Sequence, residues 1–265
     1  MSVIELKSPG EFDAMRVAGL VVADALAAVR AHARVGVSLL ELDEVAAQVV
    51  RAAGASSSFL HYRPSFAPTP FPGHICASVN DVIVHGIPDG YRLREGDLVS
   101  IDCGAHVDGW HGDSAISFVV GDADPADAAL IETAERALAA AIAAAVPGAR
   151  MGDVSAAIGR IGRAAGYGIP EDFGGHGIGR AMHESPGVPN EGRPGRGLTL
   201  RAGMALAIEP MFHAGGRDAY TTDPDGWALR TVDGSRAAHV EHTVAITESG
   251  PRVLTAPRLP VAAGA

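Results

Sequence analysis

Carboxylates end apolar, strand-like segments at two places in this chain, and the runs before them resemble each other. The run Leu-Arg-Glu-Gly leads to Asp102, and the run Leu-Arg-Ala-Gly leads to Glu209. Asp113 and Glu241 each follow a histidine by two residues and precede a stretch that contains β-branched residues. Burying an unpaired carboxylate costs several kcal/mol, so four carboxylates that converge in a core require cations.

A fifth candidate ligand is His176, which lies in the glycine-rich segment 174–179. Four carboxylates and one imidazole suit two hard or borderline divalent ions bridged by shared carboxylates. Two ions about 3.5–4 Å apart can hold a hydroxide between them and polarise a carbonyl, which is the chemistry of an amide hydrolase. Each residue alone is as typical of a turn, a cap or a solvated side chain, and only the duplicated pattern favours a site. The candidate metal ligands are Asp102, Asp113, His176, Glu209 and Glu241.

Two further histidines lie in segments flanked by glycine or proline. His85 precedes Gly-Ile-Pro, and His183 precedes Glu-Ser-Pro. Either is consistent with a structural role when taken alone. Beside a pair of metal ions, either imidazole can donate a hydrogen bond to a developing oxyanion or to a leaving nitrogen.

The segments that must position these residues form an internal repeat. The run Ala-Leu-Ala-Ala at 25–28 recurs at 137–140, and Arg-Ala-Ala-Gly at 51–54 recurs at 163–166. Both recurrences have an offset of 112 residues (137 − 25 and 163 − 51). Together with the carboxylate strands, this predicts two copies of a helix, helix, strand, strand unit, at about 8–120 and 124–247.

Capping signals define the predicted helices. A Ser-Xaa-Xaa-Glu capping box at Ser8 begins a first helix that runs to about 33, and another at Ser38 begins a second that is closed by glycine at 54. An Asp-Pro pair at 124–125 begins a third helix that stops at 147–148, and 153–165 forms a fourth.

Strands are expected at about 75–84, 97–105 and 112–120, with the turn Asp108-Gly109 making a hairpin of the last two. A two-residue turn there places Asp102 opposite Ala115 and Asp113 one diagonal step away on the same face, about 7–8 Å apart at Cα. A three-residue turn would instead place Asp102 and Asp113 on opposite faces of the hairpin.

Other segments are predicted to be irregular. The stretch 55–73 is rich in Ser, Pro and aromatic residues and is expected to be a long functional loop. In the second half we expect loops around His176 and His183, a strand that ends in Glu209, irregular chain at 212–227 and a last hairpin carrying Glu241.

Composition restricts the class of protein. The 265 residues are 47% hydrophobic with a net charge of −10 and no Lys/Arg run, which argues against direct nucleic-acid binding. Two cysteines provide no disulfide framework, and no segment is typical of a signal peptide or a membrane span, so we expect a cytoplasmic protein. We also expect it to be a monomer. We expect one catalytic domain at 1–256 and a frayed tail at 257–265.

Taken together, the motifs resemble the type I methionine aminopeptidases of metallopeptidase family M24. They are Asn80-Asp81-Val82-Ile83-Val84-His85-Gly86-Ile87-Pro88, Asp102-Cys103-Gly104, Gly112-Asp113, Gly175-His176-Gly177-Ile178-Gly179, His183-Glu184, Ile208-Glu209-Pro210 and Glu241-His242-Thr243. The resemblance covers nearly the whole chain. It implies an α/β (α+β) pita-bread fold, in which two pseudo-symmetric halves form a curved antiparallel sheet flanked by helices.

The resemblance also implies roles for the candidate residues. Asp102 binds one metal, His176 and Glu209 bind the other, and Asp113 and Glu241 bridge them. Glu209 also shuttles the proton of the nucleophile, His183 stabilises the tetrahedral intermediate, and His85 contacts the scissile nitrogen. The implied methionine pocket comprises Phe71, Cys76, Met182 and Trp227, with Tyr62 or Phe66.

The implied reaction removes methionine from nascent or short polypeptides whose second residue is small, near the ribosome. Two divalent ions are the implied cofactors, and Co, Mn, Fe and Zn all suit the mixed ligand set. The 31 residues between Glu209 and Glu241 leave no room for the helical insert of type II enzymes. Two features depart from the family, namely Met182 in place of an aromatic residue and a longer, proline-rich loop at 58–71.

Two alternatives remain open at this point. An Xaa-Pro peptidase has the same core, but such enzymes carry a large N-terminal domain, and here the catalytic motifs begin by His85. A catalytically inactive peptide-binding scaffold would be expected to lose metal ligands and to keep binding peptide after chelation. Metal content and peptide release distinguish the three.

Overall fold

The computed structural model describes residues 4–65 and 67–258. Within these ranges the chain forms four helices, of which none is long and apolar enough to cross a bilayer. The helices are α1 (Pro9–His32), α2 (Leu39–Ala52), α3 (Pro125–Ala144) and α4 (Met151–Ala164). The tail predicted at 257–265 lies outside the described residues from 259 onward.

The helix starts follow from their capping residues. In both α1 and α2 the N-cap serine accepts a hydrogen bond from the N3 backbone N–H, and the N3 glutamate accepts one from the N-cap backbone N–H. These two capping boxes are confirmed. Helix α4 starts two residues earlier than predicted because Asp153 is the N3 residue, and its carboxylate accepts the backbone N–H of Arg150.

The first half contributes β1 (Ser56–Ser57), β2 (Ile75–Val79), β3 (Val82–Val84), β4 (Leu98–Val107) and β5 (Trp110–Val119). Strand β4 is central and pairs antiparallel with β1, β2 and β5. The single strand predicted at 75–84 is wrong. It breaks at Asn80, whose φ of 58° is left-handed, so β3 pairs with a strand of the second half instead.

The second half contributes the remaining strands. They are β6 (Gly174–Gly177), β7 (Glu184–Pro189), β8 (Ala205–Ile208), β9 (Met211–His213), β10 (Tyr220–Thr222), β11 (Leu229–Thr231), β12 (Ala237–His239), β13 (His242–Thr247) and β14 (Gly250–Val253). Five of them form an antiparallel sheet in the order β14-β13-β8-β6-β7, β12 pairs with β9, and β10-β11-β3 makes a small third sheet.

Three predictions of irregular structure are wrong. The glycine-rich segment around His176 is strand β6 rather than a loop, and β7 begins directly after His183. A Cβ on Gly175 would lie 2.1 Å from the carbonyl oxygen of Ala207, so glycine is what allows β6 to pack this closely against β8. The stretch 212–227 likewise contains part of β9 and all of β10.

Each half has its own apolar core between a helix pair and a sheet. Residues of α1 and α2 pack on β2, β4 and β5 in one core, and residues of α3 and α4 pack on the second-half strands in the other. The turns that precede the second helix of each pair match, since Gly36 and Gly148 have φ values of 88° and 87°. Two halves of the same design therefore face each other.

Candidate active site

The β4–β5 hairpin sets the positions of Asp102 and Asp113. Asp108 and Gly109 occupy a two-residue turn with φ values of 49° and 74°, as a type I′ turn requires. Asp102 therefore lies opposite Ala115, and Asp113 lies one diagonal step away. The predicted register is confirmed, and both carboxylates face the same side of the sheet.

Glu241 reaches this hairpin through backbone pairing between the two halves. Its N–H donates to the carbonyl oxygen of Ala115 at 3.0 Å, and its own carbonyl oxygen accepts the N–H of Ala115 at 3.3 Å. Two residues along, Thr243 Oγ1 accepts the N–H of Asp113 at 2.9 Å and donates to its carbonyl oxygen. These bonds hold Asp113 and Glu241 side by side.

His176 and Glu209 come from neighbouring strands of the second half. His176 lies on β6 opposite Ala207 of β8, and Glu209 follows the last residue of β8. His176 Nδ1 donates to the carbonyl oxygen of Gly177 at 2.8 Å, which leaves the lone pair on Nε2. That Nε2 lies 3.7 Å from Asp113 Oδ2 and 3.7 Å from Glu209 Oε1.

The acidic side chains in this cluster are too buried to coexist as free anions. Burial raises the pKa of Asp102 to about 7, with repulsion from Glu209 adding to the rise. Burial and the neighbouring carboxylates raise the pKa of Asp113 and of Glu241 well above their ordinary values. Burial would also raise the pKa of Glu209, but the imidazoles of His239 and His176 lower it overall.

The donor atoms of the cluster fit divalent cations. Asp102 Oδ1, Asp113 Oδ1 and Glu241 Oε1 are buried and have no hydrogen-bond partner among the described residues. Ligand atoms of Asp113, His176 and Glu241 lie within 4.8 Å of one another, and so do those of Glu209, His239 and Glu241. Because Glu241 belongs to both groups, the arrangement suits a pair of ions that share a carboxylate.

A cavity of about 350 Å³ opens beside the cluster. All the predicted metal ligands, both predicted histidines and the four predicted pocket residues line it. Phe71 and Trp227 meet edge to face with their ring centroids 5.0 Å apart, and Trp227 Nε1 donates to the carbonyl oxygen of Thr69 in the long loop. That loop therefore forms one wall of the cavity, while Phe66 lies outside the described residues.

The candidate histidines His85 and His183 are held as neutral imidazoles. Burial lowers the pKa of His183 to about 3, with His176 adding to the effect, and burial lowers the pKa of His85 to about 4. The ring of His183 stacks on Tyr62 at 5.2 Å and lies 4.1 Å from the ring of His176. His85 has a left-handed φ of 59°, a strained conformation that is common at functional sites.

Comparison with known proteins gives the family. The sequence profile of metallopeptidase family M24 matches residues 13–248. Methionine aminopeptidase 1 of Mycobacterium tuberculosis is 54% identical over 260 residues, which are 96% of this chain and 95% of that protein. The chain belongs to the methionine aminopeptidases of family M24. The recognition drawn from the motifs is therefore confirmed.

Solved structures of methionine aminopeptidases have the same fold. The enzyme from Thermotoga maritima superposes with a TM-score of 0.90 at 38% identity, covering 96% of this chain and 99% of that one. The enzyme from Rickettsia prowazekii superposes with a TM-score of 0.91 at 34% identity over 96% of this chain and all of that one. The predicted pita-bread fold, the metallopeptidase class and the use of divalent metals are confirmed with the family.

The proline-specific alternative is not supported. Prolidase from Pyrococcus furiosus superposes with a TM-score of 0.74, but it is 22% identical, and this chain covers only 66% of it. That similarity shows the shared fold alone. Identity to methionine aminopeptidases is far higher and extends over nearly the full length of both chains.

The sequence analysis missed several residues of the cleft. Phe59, Phe173 and Met211 also line the cavity, and His239 lies beside Glu209 and Glu241. A signal for His239 was available, because residues two apart in an extended chain share a face, and this histidine precedes Glu241 by two. The equivalent histidine of the first half, His111, bonds Ser58 instead.

Proposed function

We propose that this chain removes the initiator methionine from polypeptides whose second residue is small. The observation that carries the proposal is a cleft in which the cluster of candidate metal ligands adjoins an apolar pocket of aromatic and sulfur-containing side chains. The ligand cluster suits the scissile amide, and the apolar pocket suits the unbranched thioether side chain of methionine.

The proposed ligand roles are those that the family resemblance implies, and the closeness of the ligand atoms in the cluster supports them. Asp102 would hold one ion, His176 and Glu209 would hold the other, and Asp113 and Glu241 would be shared between them. Two divalent ions bound there supply Lewis acidity and lower the pKa of water, so that a nucleophile is available at neutral pH. Glu209, whose pKa is lowered by the imidazoles of His239 and His176, would take the proton of the attacking water and deliver it to the leaving amine.

His183 is proposed to donate a hydrogen bond to the oxygen of the scissile carbonyl as charge develops on it. A neutral imidazole has an N–H to give, and its low pKa keeps it from acting as a competing base. Stacking on Tyr62 fixes the plane of the ring. His85, whose ring contacts those of Trp227 and Phe173 edge to face, is proposed to contact the scissile nitrogen.

Specificity for methionine is proposed to come from Phe71, Cys76, Met182 and Trp227. These side chains are buried at the wall of the cleft, and sulfur-to-aromatic contacts contribute about 0.3–1.5 kcal/mol each. The second substrate residue would lie against the cleft wall beside the metal cluster, where a small side chain is the easiest to accommodate. Small second residues such as Gly, Ala or Ser are therefore preferred.

We further propose one catalytic domain over residues 1–256 that works as a monomer on new polypeptides in the cytoplasm, near the ribosome. Ligands from both halves of one chain meet in the cleft, so the site is complete without a partner subunit. Both cysteines are buried and unpaired, as a reducing compartment permits.

A peptide-release assay tests the function. The enzyme is stripped of metal, assayed, reloaded with Co, Mn, Fe or Zn in turn, and assayed on Met-Ala, Met-Lys, Leu-Ala and Ala-Pro peptides. We expect activity only after reloading, with Met-Ala cleaved fastest. Fastest cleavage of Ala-Pro would move the chain to the proline-specific enzymes, and peptide binding without cleavage in every metal would indicate a scaffold.

A further inference from the structure

We propose that His239 is a sixth ligand of the dinuclear site and gives the ion at Glu209 a second imidazole nitrogen. The proposal rests on the proposed metal site and adds a residue to it. His239 ends strand β12, where it pairs with Met211 of β9, so its position comes from regular structure.

The side chain of His239 is buried and points at the acidic cluster. Only 2% of it is exposed, and Nε2 has no hydrogen-bond partner among the described residues. Two carboxylate oxygens lie near this nitrogen, Glu209 Oε2 at 3.6 Å and Glu241 Oε2 at 3.9 Å. Leaving such a nitrogen unpaired in a core is unfavourable, so a partner is expected there.

The distances match shared coordination better than hydrogen bonding. A separation of 3.6 Å is too long for an N–H···O hydrogen bond, whose usual range is about 2.7–3.2 Å. Two ligand atoms each about 2.0–2.2 Å from one ion, at an angle of 110–120°, lie about 3.3–3.8 Å apart. The Nε2 of His176 shows the same spacing, 3.7 Å, to Asp113 and to Glu209. The two imidazoles thus occupy similar positions around Glu209.

The backbone of His239 is fixed, which a ligand on a rigid strand requires. Its N–H donates to Ser117 Oγ at 3.0 Å, and its carbonyl oxygen accepts from the same hydroxyl at 2.7 Å. Strand β5, which carries Asp113, thereby holds β12 in place. A second imidazole in an otherwise carboxylate site favours zinc, cobalt or iron over magnesium and calcium.

X-ray absorption of the intact enzyme, loaded with two equivalents of Co or Zn, counts imidazoles directly. We expect two imidazoles for two ions in the unaltered chain and one in His239→Gln, with the affinity for one of the two ions at least tenfold weaker. His213→Gln is the matched control, because His213 is also a buried histidine with an unpartnered Nε2, but on β9 and bonded to Arg217. It should leave both the count and the affinity unchanged.

One imidazole for two ions in the unaltered, folded enzyme would overturn the proposal, whether or not the variant folds. An unchanged count in His239→Gln would overturn it as well and would make His239 a positioning residue for Glu209. Methionine release from Met-Ala is measured on the same samples. Active enzyme with one imidazole refutes only the sixth ligand, whereas two imidazoles without methionine release refute only the proposed function.

Discussion

The neutral state of His183 makes its contribution separable from metal binding. Its ring lies 4.1 Å from that of His176 but is stacked on Tyr62 and is outside the carboxylate cluster. We expect His183→Ala to lower kcat by about a hundredfold to a thousandfold, as for loss of one oxyanion donor. Elemental analysis should find the metal content of the native enzyme, and loss of metal in this variant would make His183 a ligand or a structural residue.

A change at Asp113 should affect metal binding directly, because this residue lies between the two proposed ion positions. Asp113→Asn keeps the shape of the side chain and its backbone bonds to Thr243, but it removes a negative charge next to both ions. Binding of both ions should weaken by at least tenfold, and activity should fall with it. The check is calorimetric titration with Co or Mn, and a variant that remains fully loaded and active would rule out the bridging position.

At the scale of elements, the segment before α1 anchors the loop that carries His183. The Lys7 ammonium pairs with Glu184, and their side chains are only 2% and 14% exposed. Glu184 also accepts the backbone N–H of Ala181, and Lys7 donates its own backbone N–H to Gly203. The N-terminal segment, the loop that carries His183 and the segment that leads to β8 and Glu209 are therefore tied together.

Removing the charge of Lys7 should loosen this loop. Lys7→Met leaves the carboxylate of Glu184 without its partner, and we expect the free energy of unfolding to fall by about 2–3 kcal/mol, below the range for fully buried pairs because Glu184 is partly exposed. The value of kcat should fall more than KM rises, since His183 is displaced while Phe71, Cys76 and Trp227 of the pocket stay in place. Urea unfolding and peptide kinetics measure both effects, and Lys7→Arg, which keeps the charge, should retain most of the stability and activity.

Prediction from sequence succeeded at the scale of elements where signals are local. The Asp108-Gly109 turn alone determined the register that aligns Asp102 with Asp113. The glycine run at 174–177 was misjudged, because its strand is stabilised by pairing with β8, a segment some thirty residues away. Likewise, only the duplicated pattern indicated that Glu241 meets Asp113, since backbone pairing between the halves cannot be recognised from either segment.

At the scale of the whole molecule, the buried carboxylates link stability to pH and to metal. Asp102, Asp113 and Glu241 have raised pKa values in the folded protein, so their stabilising contribution is full at low pH and is lost as pH rises through those values. Without metal, the free energy of unfolding should fall by about 1.4 kcal/mol between pH 7 and pH 8 for each carboxyl that stays protonated in the folded protein.

Other groups titrate mainly outside the range from pH 7 to pH 8. Burial lowers the pKa of His85 and of His183, so these residues reduce the free energy of unfolding mainly below pH 7. Burial raises the pKa of the Cys76 and Cys103 thiols, so they reduce it mainly above pH 8. Urea midpoints at the two pH values measure the effect. The metal-loaded protein should show a much smaller fall, and an equal fall with and without metal would contradict the account.

The pairing of Ala115 with Glu241 makes the site a property of two regions that are distant along the chain. Asp102 precedes Glu241 by 139 residues (241 − 102), and each half alone holds carboxylates that repel one another with only part of the ligand set. A chain severed in the exposed connection at 121–124 would bind the ions weakly as separate pieces and tightly as a pair. In such a split enzyme the metals would stabilise the association of the two fragments. Activity would then depend on the concentration of the fragments as well as on that of the substrate.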